Sequence, residues 1–328
     1  MGTTAQGSWV RRAEITEMLT EAPHLDNMFL GEKLFPVKTV ETESGDYFKM
    51  TRAGGGLMRA EGARRDPRGE YVRTERQMTK DGYRTFEYGL EELVDEAEKK
   101  RWKTVFDALV NAGNGIRRSL RLLHEIRVKD AIFNPAAWAG GAVAPTADYT
   151  TAGLANIDFV KDIEGLMEQF TNYGQLPNTM VLSSYVWRLI RHSPKLQNYV
   201  HGPVSSGAGD RQIKVSQIES LFAEDGINVK IHIARIPVDL SKAGSNEVNV
   251  SRIWPTSHIF LGNVQSGDYE AGGIGRTLVW DADSPGGLFT SDTYEEPKRR
   301  SEVVRVRSHT AEHVIDSTAG ILLTTNYA

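Results

Sequence analysis

LEELVDEAEKKRWKTVFDALVNAGNGIRRSLRLLHEIRVKDAIF, residues 90–133, carries the clearest periodic signal in the chain. Leu90, Leu93, Val94, Ala97, Val105, Phe106, Leu109, Ile116, Leu120, Leu123 and Ile126 recur at steps of three and four, the spacing of one helix face. Charged residues such as Glu91, Glu98, Lys100, Arg117 and Arg121 fill the gaps. The stretch predicts a helix that Gly113-Asn114-Gly115 weakens or kinks and Pro135 ends. Run without a break, such a helix would extend roughly 60 Å. That length predicts an elongated protein.

Upstream, residues 41–88 read as a β excursion. Asp46 to Ala53 is strand-like, Gly54-Gly55-Gly56 breaks it, and Tyr83 to Tyr88 returns. Asp81-Gly82 is a hairpin-turn signal. Few large apolar residues lie between Gly54 and Thr79, so the excursion has little core of its own. Residues 1–40 form an arm with apolar anchors at Phe35-Pro36-Val37, and Ala13 to Glu21 suits a short helix. An arm of this kind must lie on the rest of the chain or on a neighbour.

Downstream of a Gly/Ala/Pro/Thr linker, residues 135–153, the pattern becomes mixed. Helices are predicted over 156–173 and 185–199, the second interrupted near Ser193-Pro194. Strands are predicted over 178–183, 229–237, 257–264, 276–280, 302–306 and 315–327, with a glycine/serine loop at 204–209. The fold class is α+β.

The 328 residues include no cysteine. A disulfide framework, a thiol nucleophile, a zinc finger and an iron–sulfur cluster are therefore excluded. A net charge of −4, from 39 basic and 43 acidic residues, does not mark a general nucleic-acid binder. No stretch approaches the roughly 20 apolar residues of a membrane span, and the N-terminus lacks the apolar core of a signal peptide. The chain reads as soluble and intracellular, with no cofactor.

Enzyme motifs give little. Gly272-Gly273-Ile274-Gly275 lacks dinucleotide-loop spacing and reads as a turn. No P-loop or nucleophile elbow occurs. His309-Thr310-Ala311-Glu312-His313 matches H-x-x-E-H, which binds zinc when a helix presents both histidines and a third ligand completes the set. Here β-branched, strand-like residues flank it, so exposed strand histidines are the expectation and a zinc hydrolase is the alternative. Glu295-Glu296, Asp281 with Asp283, and His192 with His201 are read as surface or helix-end groups.

The arginine-rich loop is more informative. Arg59, Arg64, Arg65, Arg68, Arg73 and Arg76 lie in a segment, 59–84, with eight basic and five acidic residues. Only Tyr71 and Tyr83 are at hand for base stacking, which disfavours nucleic acid. A solvated mixed-charge loop and an arm contacting another subunit remain open.

The order of these parts resembles a tailed-phage major capsid protein of the Hong Kong 97 fold. Four segments carry the likeness: YRTFEYGLEELVD at 83–95, LRLLHEIRV at 120–128, LPNTMVLSSYVWRLIRHSPKL at 176–196 and AGILLTTN at 319–326. In the third, Ser193 separates the His and Pro that the family joins. The resemblance covers about residue 10 to 328. It implies an N-terminal arm (1–40), an extended loop (41–88) and a peripheral domain with a long spine helix (89–177). An axial domain (178–298) follows, then C-terminal strands of the peripheral domain (299–328).

The function implied is a non-enzymatic subunit that self-assembles, as pentamers and hexamers, into an icosahedral virion shell around double-stranded DNA. Assembly would occur in the bacterial cytoplasm. Portal, possible decoration proteins and a separate scaffold, if any, would be partners; no membrane would be. DNA would be contained without sequence-specific binding, and the six loop arginines would touch a neighbour. Lys49 and Lys80 lie in the loop, but no cross-linking partner is assignable, so none is expected. An encapsulin-type compartment and a phage neck or tail component are related alternatives.

Overall fold

The computed structural model describes residues 28–50, 64, 65, 67–71, 73, 78–102, 107–202, 212–224, 226–241, 249–267, 272–285 and 287–327. Ala13 to Glu21, Gly54-Gly55-Gly56 and the loop 204–209 lie outside these, as do Arg59 and Arg76.

The elements, in order, begin with α1 (Gly31–Leu34), β1 (Val37–Val40), β2 (Ser44–Met50), β3 (Met78–Arg84) and β4 (Phe86–Asp95). Next come α2 (Glu96–Trp102), α3 (Ala108–Ile132), β5 (Ala142–Val143), α4 (Phe159–Asn172) and β6 (Thr179–Ser183). Then follow α5 (Ser184–Ile190), α6 (Pro194–His201), α7 (Val215–Glu224), β7 (Lys230–Ala234), β8 (Pro237–Asp239) and β9 (Val250–Arg252). The last five are β10 (His258–Gly262), β11 (Gly275–Trp280), β12 (Thr290–Glu296), β13 (Ser301–Val314) and β14 (Gly320–Thr324).

The long helix differs from its sequence reading at the start and in the middle of the stretch 90–133. Leu90, Leu93 and Val94 lie on β4, which pairs antiparallel with β13 from Phe86↔Thr310 to Asp95↔Ser301. Their spacing fits a helix face by coincidence. The sheet prevails because β13 offers a ten-residue ladder with matched charge, including a Glu91–Arg305 ion pair. The helix proper is α3, 25 residues and so about 37 Å long. Asp107 caps it, accepting from the Leu109 amide at 2.9 Å. Gly113-Asn114-Gly115 does not break it. Each glycine costs about 1 kcal/mol in a helix. Burial of Leu109, Ala112, Ile116 and Leu120 against Val304 and Val306 outweighs that.

Asp81-Gly82 is the second correction. It sits inside β3, opposite Asp46 and Tyr47 of β2, and the connection between these strands runs over residues 51–77. The helix 156–173 appears as α4, and the interruption near Ser193-Pro194 separates α5 from α6.

Two five-stranded sheets organise the chain. In the first, β13 is the axis. Its residues 301–310 pair with β4 on one edge. Its other edge takes β12 along residues 301–307 and β11 along 310–314. The arm strand β1 adds parallel to β11. The second sheet runs β5-β14-β10-β6-β7. It is buried on both faces, which is why β6 reads as an unbroken buried run, TMVLS. One face, with Met180, Leu182, Ile259 and Leu261, packs on α4 to α7. The other, with Val181, Phe260 and Leu322, packs on Phe29, Leu34, Phe35, Trp138, Trp254 and the end of α3.

Candidate assembly surfaces

The α3 helix ties the two sheets and the arm together. Its buried line is Ile116, Leu120, His124, Val128 and Ile132, a strict four-residue step that passes through a histidine. Leu123, placed by its apolar character on the packed face, is 44% exposed. Beside His124 lies Glu125, a carboxylate with 1% exposure. Its oxygens accept from the amides of Leu30 at 3.0 Å and Gly31 at 2.6 Å, and from Trp254 Nε1 at 2.8 Å. Burial raises its pKa against those three bonds. Arg121 donates to Glu32 at 2.8 and 3.1 Å. Arg127 grips Glu312 of β13 in a fork at 2.8 and 3.0 Å. The base of the arm, residues 30–32, is thereby clamped on its own subunit.

His124 Nε2 lies 3.0 Å from Thr277 Oγ1, whose hydroxyl donates to the Phe35 carbonyl at 3.1 Å. Burial holds the imidazole well below its ordinary range, at about 4, despite the nearby Glu312 and Glu32 carboxylates. Arg127 and Arg121 act in the same direction as burial. Between pH 6.5 and about 4 the unfolded chain therefore binds a proton that the folded chain refuses. Stability contributed by the neutral ring is complete above pH 6.5 and falls as pH drops through that window. Urea unfolding should lose on the order of 3 kcal/mol from this residue between pH 7 and 4. A His124→Gln variant should show a flatter profile over the same range.

With the arm's base fixed, three apolar features stay uncovered. The first is the β2–β3 hairpin. Its foot is well held. The Thr85 amide and hydroxyl both donate to the Glu43 carbonyl at 2.9 Å. Tyr47 Oη lies 2.6 Å from His313 Nε2, with the rings edge to face. Further out, Lys49 pairs with Asp81 and Lys80 with Asp46. Among the described side chains of the ladder only Tyr47 is buried, while Phe48 is 70% exposed and Met78 57%. A two-stranded ribbon of this kind is marginal alone. The second feature is β4, paired among the described residues only with β13 and presenting Phe86, Leu90 and Leu93 to solvent. The third is the β8–β9 hairpin, with exposed Leu240 and Val250.

The loop arginines that fall within the described residues, Arg64, Arg65, Arg68 and Arg73, are all exposed. Arg65 is held locally. It donates to the Gly69 carbonyl at 2.6 Å and to Tyr71 Oη at 3.1 Å, with its guanidinium 4.6 Å from the Tyr71 ring centre. Lys49 and Lys80, read as loop lysines, are the two paired above.

His309 and His313 lie on β13, not on a helix. They are less exposed than expected. His309 is buried against Asp283, at 3.2 Å, and the edge of Trp280. His313 is engaged by Tyr47, and burial lowers its pKa. Glu312, the motif's glutamate, is taken by Arg127. Among the described residues no group of three or more His, Asp or Glu could hold a metal ion. Asp283 also pairs with Arg307, and Glu295-Glu296 lie on β12. Exposed His192 accepts from Arg191 Nε at 3.3 Å, and His201 ends α6. No helix of the described residues is long and apolar enough to cross a membrane.

This architecture is that of phage capsid proteins. The structure aligns with a phage-related protein from Bordetella bronchiseptica RB50 at a TM-score of 0.69, covering 97% of this chain and 98% of that one at 19% identity. It aligns with the capsid structure of cyanophage P-SCSP1u at 0.55, covering 100% and 93% at 12% identity. At these identities the likeness establishes the fold, the α+β capsid fold expected from the sequence. In sequence, the chain is 27% identical over 175 residues to the major capsid protein of Burkholderia phage BcepMu, covering 51% of this chain and 54% of that protein. It thus spans about half the length of the curated relative it matches. No family model matches.

Proposed function

We propose that this chain is a structural, non-catalytic subunit that self-assembles into the icosahedral shell of a phage head and encloses its double-stranded DNA. The observation that carries the reading is the capsid fold along essentially the whole chain, joined to a hairpin whose apolar side chains lie uncovered in the single subunit. Interfaces between copies supply the burial that the hairpin lacks.

In this reading residues 1–40 are the arm, 41–88 the extended loop, 89–177 the peripheral domain with its spine helix and 178–298 the axial domain. Residues 299–328 supply C-terminal strands, β13 to the first sheet and β14 to the second. Pentamers and hexamers of the chain form the shell. A scaffold, a portal and decoration proteins are its partners, assembly takes place in the host cytoplasm, and the product resides in the virion. With a net charge of −4 the chain contains DNA without recognising its sequence.

The arginine-rich loop lies against acidic residues of a neighbour, and part of the association is ionic. Salt screens such contacts once the Debye length falls to about 3 Å near 1 M. Light scattering of assembled particles should show dissociation or softening as salt rises, and Arg64→Glu with Arg73→Glu should remove that dependence. Particles indifferent to salt would refute the ionic part.

A further inference from the structure

We infer that a basic pocket between α5 and the β8–β9 hairpin is a docking site for an acidic peptide segment of a partner protein. The cavity has a volume of about 500 Å³ and is lined by Met28, Ser184, Trp187, Pro237 and four arginines, Arg188, Arg191, Arg235 and Arg252. Among the described residues no carboxylate lines it. Two arginines come from the C-terminal half of α5 and its end, one from the turn after β7 and one from β9. Three separate pieces of chain thus bring positive charge to one concavity, in a protein whose net charge is negative.

These arginines are not balanced internally. Among the described residues none forms an ion pair, although elsewhere in the fold arginines are paired, as Arg121, Arg127, Arg305 and Arg307 are. Arg252 donates to Ser184 Oγ at 2.5 Å and stacks on Tyr185, 4.5 Å from its ring centre, so its fork is held in place with donors to spare. Among the described residues Arg191 donates only to the adjacent His192. Arg188 and Arg235 are exposed and have no partner among the described residues. The nearby carboxylate on β8, Asp239, accepts from the Ser241 amide at 2.9 Å. Clustered like charges repel, and an anion relieves them while accepting bidentate bonds.

Carboxylates on a peptide suit the site better than nucleic-acid phosphates. A pocket of this size is too small to seat a duplex, whose major groove alone is about 12 Å wide. Single strands need free aromatic faces for stacking; Trp187 is only 7% exposed, and the Tyr185 ring already carries the Arg252 guanidinium. Met28, Pro237 and the Trp187 edge instead offer an apolar wall for an aliphatic side chain flanked by acidic ones. The inference goes beyond the shell reading and holds for the dispersed subunit as well.

The test is fluorescence anisotropy of a labelled peptide of glutamates flanking a leucine pair, titrated with the dispersed protein at low salt. Binding is expected, with an affinity loss of about tenfold or more in the Arg188→Glu/Arg235→Glu variant. Both positions are exposed, so the variant should melt like the parent. A Lys298→Glu/Arg299→Glu variant, altered at exposed positions outside the pocket, should bind as the parent does. Absence of binding, equal binding of a peptide with glutamine for glutamate, or equal binding by the pocket variant would overturn the assignment. So would a DNA duplex that binds the parent more tightly than the peptide and loses that affinity in the pocket variant.

Discussion

Replacing Phe48 by Asp is expected to abolish shell formation while leaving the subunit folded. The side chain is 70% exposed in the isolated chain, so the fold should change by less than about 0.5 kcal/mol. In the proposed shell the same ring would belong to a buried contact, where losing an aromatic anchor costs about 2 kcal/mol or more, and burying a carboxylate adds to that. The penalty recurs at every copy. Size-exclusion chromatography should place the variant entirely in the small-species fractions, with an unshifted melting curve. Particles that form at the parental yield would show that the hairpin is not an interface.

Glu125→Ala is expected to act in the opposite way, on the fold first. The carboxylate satisfies two amides of the arm and the indole N–H of Trp254, all of them buried. Each buried donor left without an acceptor costs about 1–3 kcal/mol. Truncation should therefore remove about 4 kcal/mol, a large share of the stability of an ordinary domain. Glu125→Gln keeps an oxygen acceptor but points N–H groups at other donors, and should cost less. Urea denaturation of both variants measures the difference. A loss under about 1 kcal/mol for alanine would mean that water replaces the carboxylate.

The helix α3 was legible in its apolar period and at its Pro135 stop, whereas its start at the Asp107 cap was not read. The stretch just before it was not. Leu90, Leu93 and Val94 satisfy a helical step, and the strand that overrides it, β13, lies more than 200 residues away in sequence. The Asp81-Gly82 pair misled for a similar reason, since a turn dipeptide also fits an irregular strand whose partner begins at Ser44. β6 was legible because both its faces are buried, which leaves an unbroken apolar Met180-Val181-Leu182 centre between Thr179 and Ser183. β12 carries too many polar residues to stand out, and α7 was missed although Val215, Ile218, Leu221 and Phe222 recur at three- and four-residue steps.

The functional side chains were harder still. A glutamate in a helix, such as Glu125, reads as solvent-facing, and its acceptor role depends on groups 94 to 129 residues distant. One signal was available: the four-residue line from Ile116 to Ile132 admits a histidine at 124, which marks a polar contact inside the packed face. The arginine pocket left no local pattern, because α5, β7 and β9 meet only in the fold.

The central claim, that many copies of this chain close into a shell, is tested most directly by negative-stain electron microscopy of the purified protein, alone and co-expressed with its genomic neighbours. Closed particles of uniform diameter are predicted in at least one of these preparations. Tubes, stacked rings or dispersed subunits in both would contradict the claim.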